Sequence, residues 1–254
     1  MAIYVVSDIH GQYDLFLRGL SEINFSDGDY LWCLGDAIDR GLDGIKVLWH
    51  IMTEDNMDLL IGNHELMFLN SVEPTGEAIC NGMDTPLWLD ANGGQVTFHR
   101  YQKLCDRDRA ELLNWLRQRY VIRTIEIDGR PYCLTHSFYN PECENKRYSE
   151  LTYKEVWNIT WSSIWRDDFY THALDIYPDY DYTFICGHVP VQLARKSERS
   201  SEDWNILSCF HHENLINIDG GCAMGRVKKV HNGALFLRVD DMKEFAVPMR
   251  RNPS

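Results

Sequence analysis

Positive charge is scarce in this sequence: 25 Lys and Arg stand against 38 Asp and Glu, a formal net charge of -13. Nucleic-acid-binding proteins carry a basic footprint, and these totals hold none, which argues against a nucleic-acid partner. A phosphate substrate is still allowed, because bound divalent cations would reverse the sign of the local field. Long apolar runs are missing too. Nothing approaches the ~18 residues of a membrane span, and the opening Met1-Ala2-Ile3-Tyr4-Val5-Val6-Ser7 lacks the basic segment and the length of a secretion signal. The eight cysteines include no CxxC pair. Cys33, Cys133 and Cys186 fall inside apolar runs, where a thiol acts as a small buried hydrophobe, and packing is the expected role of all eight. These absences describe a reduced, cytoplasmic chain with no membrane contact. No internal repeat, low-complexity tract or interdomain linker is visible, so one domain is expected over residues 1–254.

What is present is a core and a rhythm. Hydrophobic residues make up 44% of the 254 positions, enough for a sizeable interior. Short, nearly continuous apolar runs recur, as buried strands require. Ile3–Ser7 leads into Asp8, Leu31–Leu34 into Gly35-Asp36, and Leu59–Ile61 into Gly62-Asn63-His64-Glu65. Tyr132–Thr135 leads into His136, Tyr182–Cys186 into Gly187-His188, and Leu215–Ile218 into Asp219-Gly220-Gly221. Helical spacing fills the intervals Tyr13–Ile23, Gly41–Thr53 and Asp106–Tyr120. Alternating strands and helices predict an α/β architecture. Asp128-Gly129-Arg130-Pro131 predicts a hairpin turn between Val121–Ile127 and Tyr132–Leu134, and Asn232-Gly233 one between Lys228–His231 and Ala234–Val239. Ala194–Asp203 reads as an exposed loop. Ser71–Gln95, broken by Gly and Pro, is placed to cover a site. In α/β sheets ligand sites gather beyond the carboxyl ends of strands, and run after run here ends on Asp, Asn or His.

A two-metal hydrolytic site needs two cations ~3.5–4 Å apart that share a ligand and activate a water. Asp36 is the candidate bridge. Asp8 and His10, two apart, lie on one side of an extended segment and can chelate the first ion. Asn63, His136 and His188 offer an amide oxygen and two imidazoles to the second. Nitrogen and oxygen donors without thiolate suit Mn, Fe, Zn or Co better than Ca, or Mg alone. Cleavage of a phosphate ester also needs a proton donor for the leaving oxygen. His64 is the candidate, with Asp39 to orient it and keep it protonated. Arg40 can clamp phosphoryl oxygens in a fixed fork.

Asp8-x-His10-Gly11, Gly35-Asp36-x-x-Asp39-Arg40-Gly41 and Gly62-Asn63-His64-Glu65, followed by two spaced histidines, resemble the phosphoprotein phosphatase branch of the calcineurin-like metallophosphoesterases. The resemblance runs from residue 3 to about 239. Trp88-Leu89-Asp90-Ala91-Asn92-Gly93-Gly94-Gln95-Val96-Thr97 is similar to a segment of the bacterial and phage lambda-type protein phosphatases. Ile164-Trp165-Arg166-Asp167 is similar to another, which makes Arg166 the candidate second phosphate-binding arginine. The resemblance implies a four-layer α-β-β-α sandwich of two mixed sheets and a pair of divalent ions of the Mn type. It implies hydrolysis of phosphoserine and phosphothreonine in proteins or peptides, extending to phosphotyrosine, by direct attack of a metal-bridging hydroxide. One departure stands out: His136 is followed by Ser137-Phe138-Tyr139, bulkier than the small residues or Gly pair common in relatives.

Simpler roles compete with these. Asp39 could cap the following helix, and Arg40 could form a surface ion pair. Glu65 reads as structural or supporting. His50, His99 and His172 read as surface or packing residues, and the adjacent His211-His212 diverge on a strand and are given no metal. Trp157, Trp161 and Trp165, four apart, read as the apolar face of one helix. Two further functions share most of these motifs: a dinucleoside polyphosphate hydrolase, and an inactive binding scaffold. The scaffold would be expected to lack ligands, and none is missing.

Overall fold

The computed structural model describes residues 1–79, 83–162, 180–197, 203–225 and 229–250. Among the described residues ten strands form two five-stranded mixed sheets. In the first, β1 (Ile3–Val6), β2 (Tyr30–Cys33) and β3 (Met57–Leu59) run parallel. In the second, β4 (Ile122–Ile127) pairs antiparallel with β5 (Arg130–Thr135). β5, β6 (Thr183–Cys186) and β8 (Leu215–Asn217) run parallel, and β7 (Phe210–His212) closes the edge antiparallel to β8. β9 (Gly233–Arg238) and β10 (Lys243–Pro248) return to the first sheet, β9 antiparallel beside β1. This is the mixed two-sheet α/β sandwich expected. Each sheet therefore holds three consecutive parallel strands, and the carboxyl ends of all six carry the polar residues picked out in the sequence.

The α-helices of seven or more residues among the described residues are α1 (Tyr13–Glu22), α2 (Gly44–Thr53), α3 (Asn63–Ser71), α4 (Gln95–Tyr101), α5 (Asp106–Arg117), α6 (Tyr153–Trp161) and α7 (Val191–Ser197). α1 is amphipathic and buries Leu15, Phe16 and Gly19. A β-carbon on Gly19 would run into the Phe236 ring of β9, so the missing side chain sets how closely helix and sheet approach. β1 and β2 are buried along nearly their whole length. Such strands read as continuous apolar runs, since both faces are covered.

Several boundaries differ from expectation for local reasons. The first hairpin turns on Asp128-Gly129 alone, because Ile127 pairs with Arg130; both turn residues have positive φ, 50° and 75°, as a two-residue primed turn requires. The second expected hairpin does not form among the described residues. Asn232 precedes β9 and Gly233 is its first residue, and β9 pairs with β10 around a turn at residues 239–242. β10 left little trace in the sequence because it is an edge strand with one fully buried residue, Val247. Val191–Ser197 is helical where a loop from Ala194 was expected; Ala194 is buried, and the Arg195 guanidinium donates to Ser208 Oγ and Cys209 O, both at 2.9 Å. α2 begins at Gly44, so its N-cap position is Asp43, not Asp39. Six described cysteines are buried as expected, but Cys105 is exposed at the start of α5. Among the described residues no helix is long and apolar enough to cross a membrane.

Candidate metal centre

The strand ends bring Asp8, His10, Asp36, Asn63, His64, His136 and His188 to one place, and only His188 among them is more than marginally exposed. Donor atoms of Asp36, His136 and His188 lie within 4.8 Å of one another, and so do those of His10, Asp36 and His64. Asp36 belongs to both groups. Its Oδ1 is 3.5 Å from His136 Nε2, and its Oδ2 is 3.7 Å from His10 Nε2 and 3.8 Å from His64 Nε2. Asn63 Oδ1 sits 3.0 Å from His136 Nε2 and 3.1 Å from His188 Nδ1. Asp8 Oδ1 is 3.9 Å from His10 Nε2. Donor separations of this size match neighbouring ligands about 2.1 Å from a common ion.

The backbone aims each donor. His10 Nδ1 meets Ile38 O at 3.0 Å and His136 Nδ1 meets Leu34 O at 2.8 Å, which leaves each Nε2 as the lone-pair nitrogen facing the cluster. Asp8 Oδ2 accepts from Ser7 Oγ at 2.5 Å and from the His188 amide at 2.9 Å, leaving Oδ1 toward His10. Glu65 works from behind: its carboxylate accepts the amides of Asp36 (2.8 Å), Ala37 (2.9 Å) and Gly62 (3.1 Å), tying the loop after β2 to the start of α3. Asp8, His10, Asp36, Asp39, Arg40 and His188 all adopt positive φ, between 46° and 70°. Concentrated strain of this kind marks a site that the surrounding fold over-determines. The motif glycines give it room. A β-carbon on Gly62 would collide with the Asp36 carboxylate, and one on Gly187 with Ser7 and Asp8.

Burial governs the electrostatics. It pushes the Asp36 carboxyl well above the usual range, and the neighbouring charges of Asp8 and Glu65 push it further. Asp8 is also raised by burial, though the His136 charge and the Ser7 hydrogen bond act against the rise. Burial depresses His10 and His136, His10 strongly and with help from His64 and Arg40. The cluster thus consists of neutral imidazoles and crowded carboxylates. A cation bound there would offset the crowding of the carboxylates, and the neutral imidazoles are already in the form that ligates. The donor set fits a pair of divalent ions.

Beside it, His64 Nδ1 lies 2.6 Å from Asp39 Oδ2. The Trp88 indole N–H donates to the same oxygen at 2.7 Å, and the Asp39 amide donates to Thr97 Oγ1 at 3.0 Å. Burial lifts Asp39 to about 7 against the Thr97 and Trp88 hydrogen bonds, while burial and Arg40 lower His64. The shifts run in opposite directions across the 2.6 Å contact, the carboxyl upward and the imidazole downward.

These residues floor an open cleft of about 800 Å³ whose lining includes Arg40, Asn92, Trp157, Trp161, Leu193 and Met224. Arg40 is exposed at its mouth. Arg166, the expected second arginine, and His172 and Trp165 lie outside the described residues. Trp157 and Trp161 share an apolar face of α6 as expected and pack partly against the core, but the fully buried residues of the helix are Val156, Ile159 and Thr160, and the tryptophans stand half-buried on the cleft wall. The part of Ser71–Gln95 that is described flanks the site more than it covers it, giving Trp88 beneath Asp39 and Asn92 to the wall. His211 pairs with Glu244 at 3.0 Å, away from the cluster.

Sequence reasoning gave no chemical role to Trp88 or Asp219. Asp219 is buried, lines the cleft and is raised by burial and by the charge of Asp8. Its signal was available, since it ends the sixth apolar run. Trp88 offered none outside the family-like segment.

The fold and the site define a calcineurin-like phosphoesterase. The family model of that description matches residues 1–214, and the chain belongs to this family. It is similar to serine/threonine-protein phosphatase 2 of Salmonella typhimurium, 35% identical over 141 residues, which cover 54% of this chain and 58% of that protein. It is also 30% identical to the symmetrical bis(5'-nucleosyl)-tetraphosphatase of Chromobacterium violaceum, over 98% of this chain and 95% of that one. The shorter alignments span about half of the relatives they match. Among solved structures, a metallophosphoesterase from Sphaerobacter thermophilus superposes with a TM-score of 0.56 at 16% identity, covering 99% of this chain and 90% of that one. This last likeness concerns the fold.

Proposed function

We propose that this is a cytoplasmic, metal-dependent protein phosphatase that hydrolyses phosphoserine and phosphothreonine monoesters, phosphotyrosine included. The observation that carries the reading is the Asp36 carboxylate, shared between two donor groups with the His64–Asp39 pair alongside. Asp8, His10 and Asp36 would hold one ion, and Asp36, Asn63, His136 and His188 the other. The nitrogen and oxygen donor set suits Mn, with Fe, Zn or Co as alternatives. Bound there, the ions supply Lewis acidity to the phosphoryl oxygens and an activated water at neutral pH.

The chain's own residues do the rest. Arg40, at the cleft mouth, takes phosphoryl oxygens in its guanidinium fork, and Arg166 is the second arginine of this reading. His64 carries its labile proton on Nε2, because Nδ1 is engaged by Asp39, and delivers it to the leaving oxygen. Asp39 fixes the tautomer and ring orientation, and Trp88 fixes Asp39. Asp8 joins the ligands while His64 stays a proton donor for a reason of charge: a carboxylate neutralises a cation, whereas His64 already serves a carboxylate of its own.

A second reading, hydrolysis of dinucleoside polyphosphates, is favoured by the near full-length similarity to the Chromobacterium tetraphosphatase. Metal-screened assays on phosphoserine, phosphothreonine and phosphotyrosine peptides, run beside diadenosine tetraphosphate, separate the two. The phosphatase reading expects Mn-stimulated turnover of the peptides. Turnover of the dinucleotide with none of any peptide would replace it with the second. His64→Asn should slow alkyl phosphate cleavage while metal content stays unchanged.

A further inference from the structure

We infer that Trp157 and Trp161 form a subsite for an aromatic ring carried directly on the phosphate, so that the cleft selects aryl phosphate monoesters of the phosphotyrosyl kind. This deepens the phosphatase reading above and rests on it. Tyr153, Trp157 and Trp161 follow one another at four-residue spacing and so share one face of α6. The flanking face supplies the fully buried Val156, Ile159 and Thr160 to the core. The two indoles stack on each other at 4.9 Å with 23° between planes, and Trp161 meets the His188 ring edge-on at 6.4 Å. An aromatic ledge therefore begins one ring contact from the donor cluster. Leu193, itself 46% exposed, and Met224 line the same cleft.

Two observations say that the ledge is not simply core. The first is the Trp161 indole N–H, which is buried and has no hydrogen-bond partner among the described residues. Buried indoles usually find one, and Trp88 does. The second is placement: Trp157 and Trp161 line the same cleft as Arg40, His64 and His188, so a ring carried on a phosphoryl group held there lies within reach of the two indoles.

The test uses phenylphosphonate and methylphosphonate, neither of which can be hydrolysed, titrated calorimetrically into the Mn-loaded full-length protein. Phenylphosphonate should bind about three- to tenfold tighter, the range for one aromatic contact. Trp161→Ala should bring that ratio close to one, Trp157→Ala should lower it, and Trp161→Phe should retain most of it. In parallel, the ratio of kcat/KM for a phosphotyrosine peptide over its phosphoserine counterpart should fall by a similar factor in Trp161→Ala. A binding ratio unchanged by Trp161→Ala and Trp157→Ala overturns the subsite alone. Failure of the wild-type protein to bind either phosphonate or to cleave either peptide overturns the phosphatase reading and the subsite with it. Diadenosine tetraphosphate binding tighter than phenylphosphonate, and weakened by Trp161→Ala, would place a nucleobase on the ledge and overturn the aryl assignment.

Discussion

Replacing Trp88 by Phe isolates one hydrogen bond in the proton-donor chain. Trp88 and Asp39 are both fully buried, and the indole N–H reaches Asp39 Oδ2 at 2.7 Å. Phe keeps most of the ring volume and removes the donor. The lost bond goes to a charged acceptor, worth about 1.5–3 kcal/mol, and the smaller ring leaves a void against Phe68, Phe98 and Gly94. A combined cost of about 3 kcal/mol corresponds to a fall in Tm of about 6–12 °C for a chain of this size. The functional consequence is more specific. The Trp88 bond draws the Asp39 pKa down from where burial alone would hold it. Without it Asp39 becomes a weaker partner for protonated His64, and cleavage that depends on proton donation should slow by about tenfold, or ~1.4 kcal/mol. Steady-state kinetics on a phosphoserine peptide and on 4-nitrophenyl phosphate, whose leaving group needs little protonation, provide the assay. The peptide should lose the tenfold and the aryl ester under threefold. Phe68→Leu, which loosens the same packing without touching the hydrogen bond, is the control for destabilisation. An equal loss on both substrates in Trp88→Phe, or a matching pattern in Phe68→Leu, would refute the reasoning.

Chelation should lower Tm, and Mn at a hundredfold excess over its Kd should restore about 2.7 kcal/mol, a rise of about 5–10 °C in a thermal-shift assay; Asp36→Asn should abolish this response along with turnover, and a wild-type Tm indifferent to chelator would contradict the metal assignment. In Gly62→Ala the new methyl group falls 2.6 Å from the Asp36 amide and against its carboxylate, so Mn affinity should drop about 10- to 100-fold; Gly129→Ala, with nothing within 4 Å but φ at +75°, should cost about 1–3 kcal/mol of stability and leave Mn affinity alone. Asp29 is raised by burial but more strongly lowered by hydrogen bonds from the Ala2 amide, the Ser26 amide and Ser26 Oγ. Its contribution to stability is therefore present above its unfolded pKa of about 3.9 and lost as pH falls through the lower folded value; denaturant melts should show Asp29→Asn weaker than wild type at pH 7, with the gap closing in strong acid.

The site was legible because its chemistry sits where sequence signals are strongest. A buried parallel strand announces itself as an apolar run, and a strand end breaks the run with a polar residue. Asp8, Asp36, Asn63, His136 and His188 were found that way. Asp219 ends a run in the same way, but one carboxylate after Ile218 resembles any loop start until the fold sets it within the field of Asp8. Other features were hidden for physical reasons. Trp157 and Trp161 have the same hydropathy whether they fill a core or wall a cleft, and only the placement of Val156 and Ile159 decides which face turns inward. Trp88 meets Asp39 across 49 residues of sequence, a pairing that no local pattern encodes. β10 lacks apolar alternation because it lies at an edge. The positive φ angle of Arg40 goes against residue preference, since the surrounding chain, not the residue, imposes it.

The donors come from both sheets, and this has a consequence for how the molecule assembles. Asp8 accepts the amide of a histidine 180 residues further along, and Asn63 meets His136 across 73. Contacts of such sequence separation carry a large loop-closure cost and form late in folding. The ligands of one ion, Asp8, His10 and Asp36, all come from the first sheet, but those of the other are divided: Asp36 and Asn63 from the first sheet, His136 and His188 from the second. That second ion would act as a rivet, set only after the two sheets have met and resisting their separation afterwards. Metal uptake would then report the final docking event of folding, and a refolding experiment followed by Mn binding would time it.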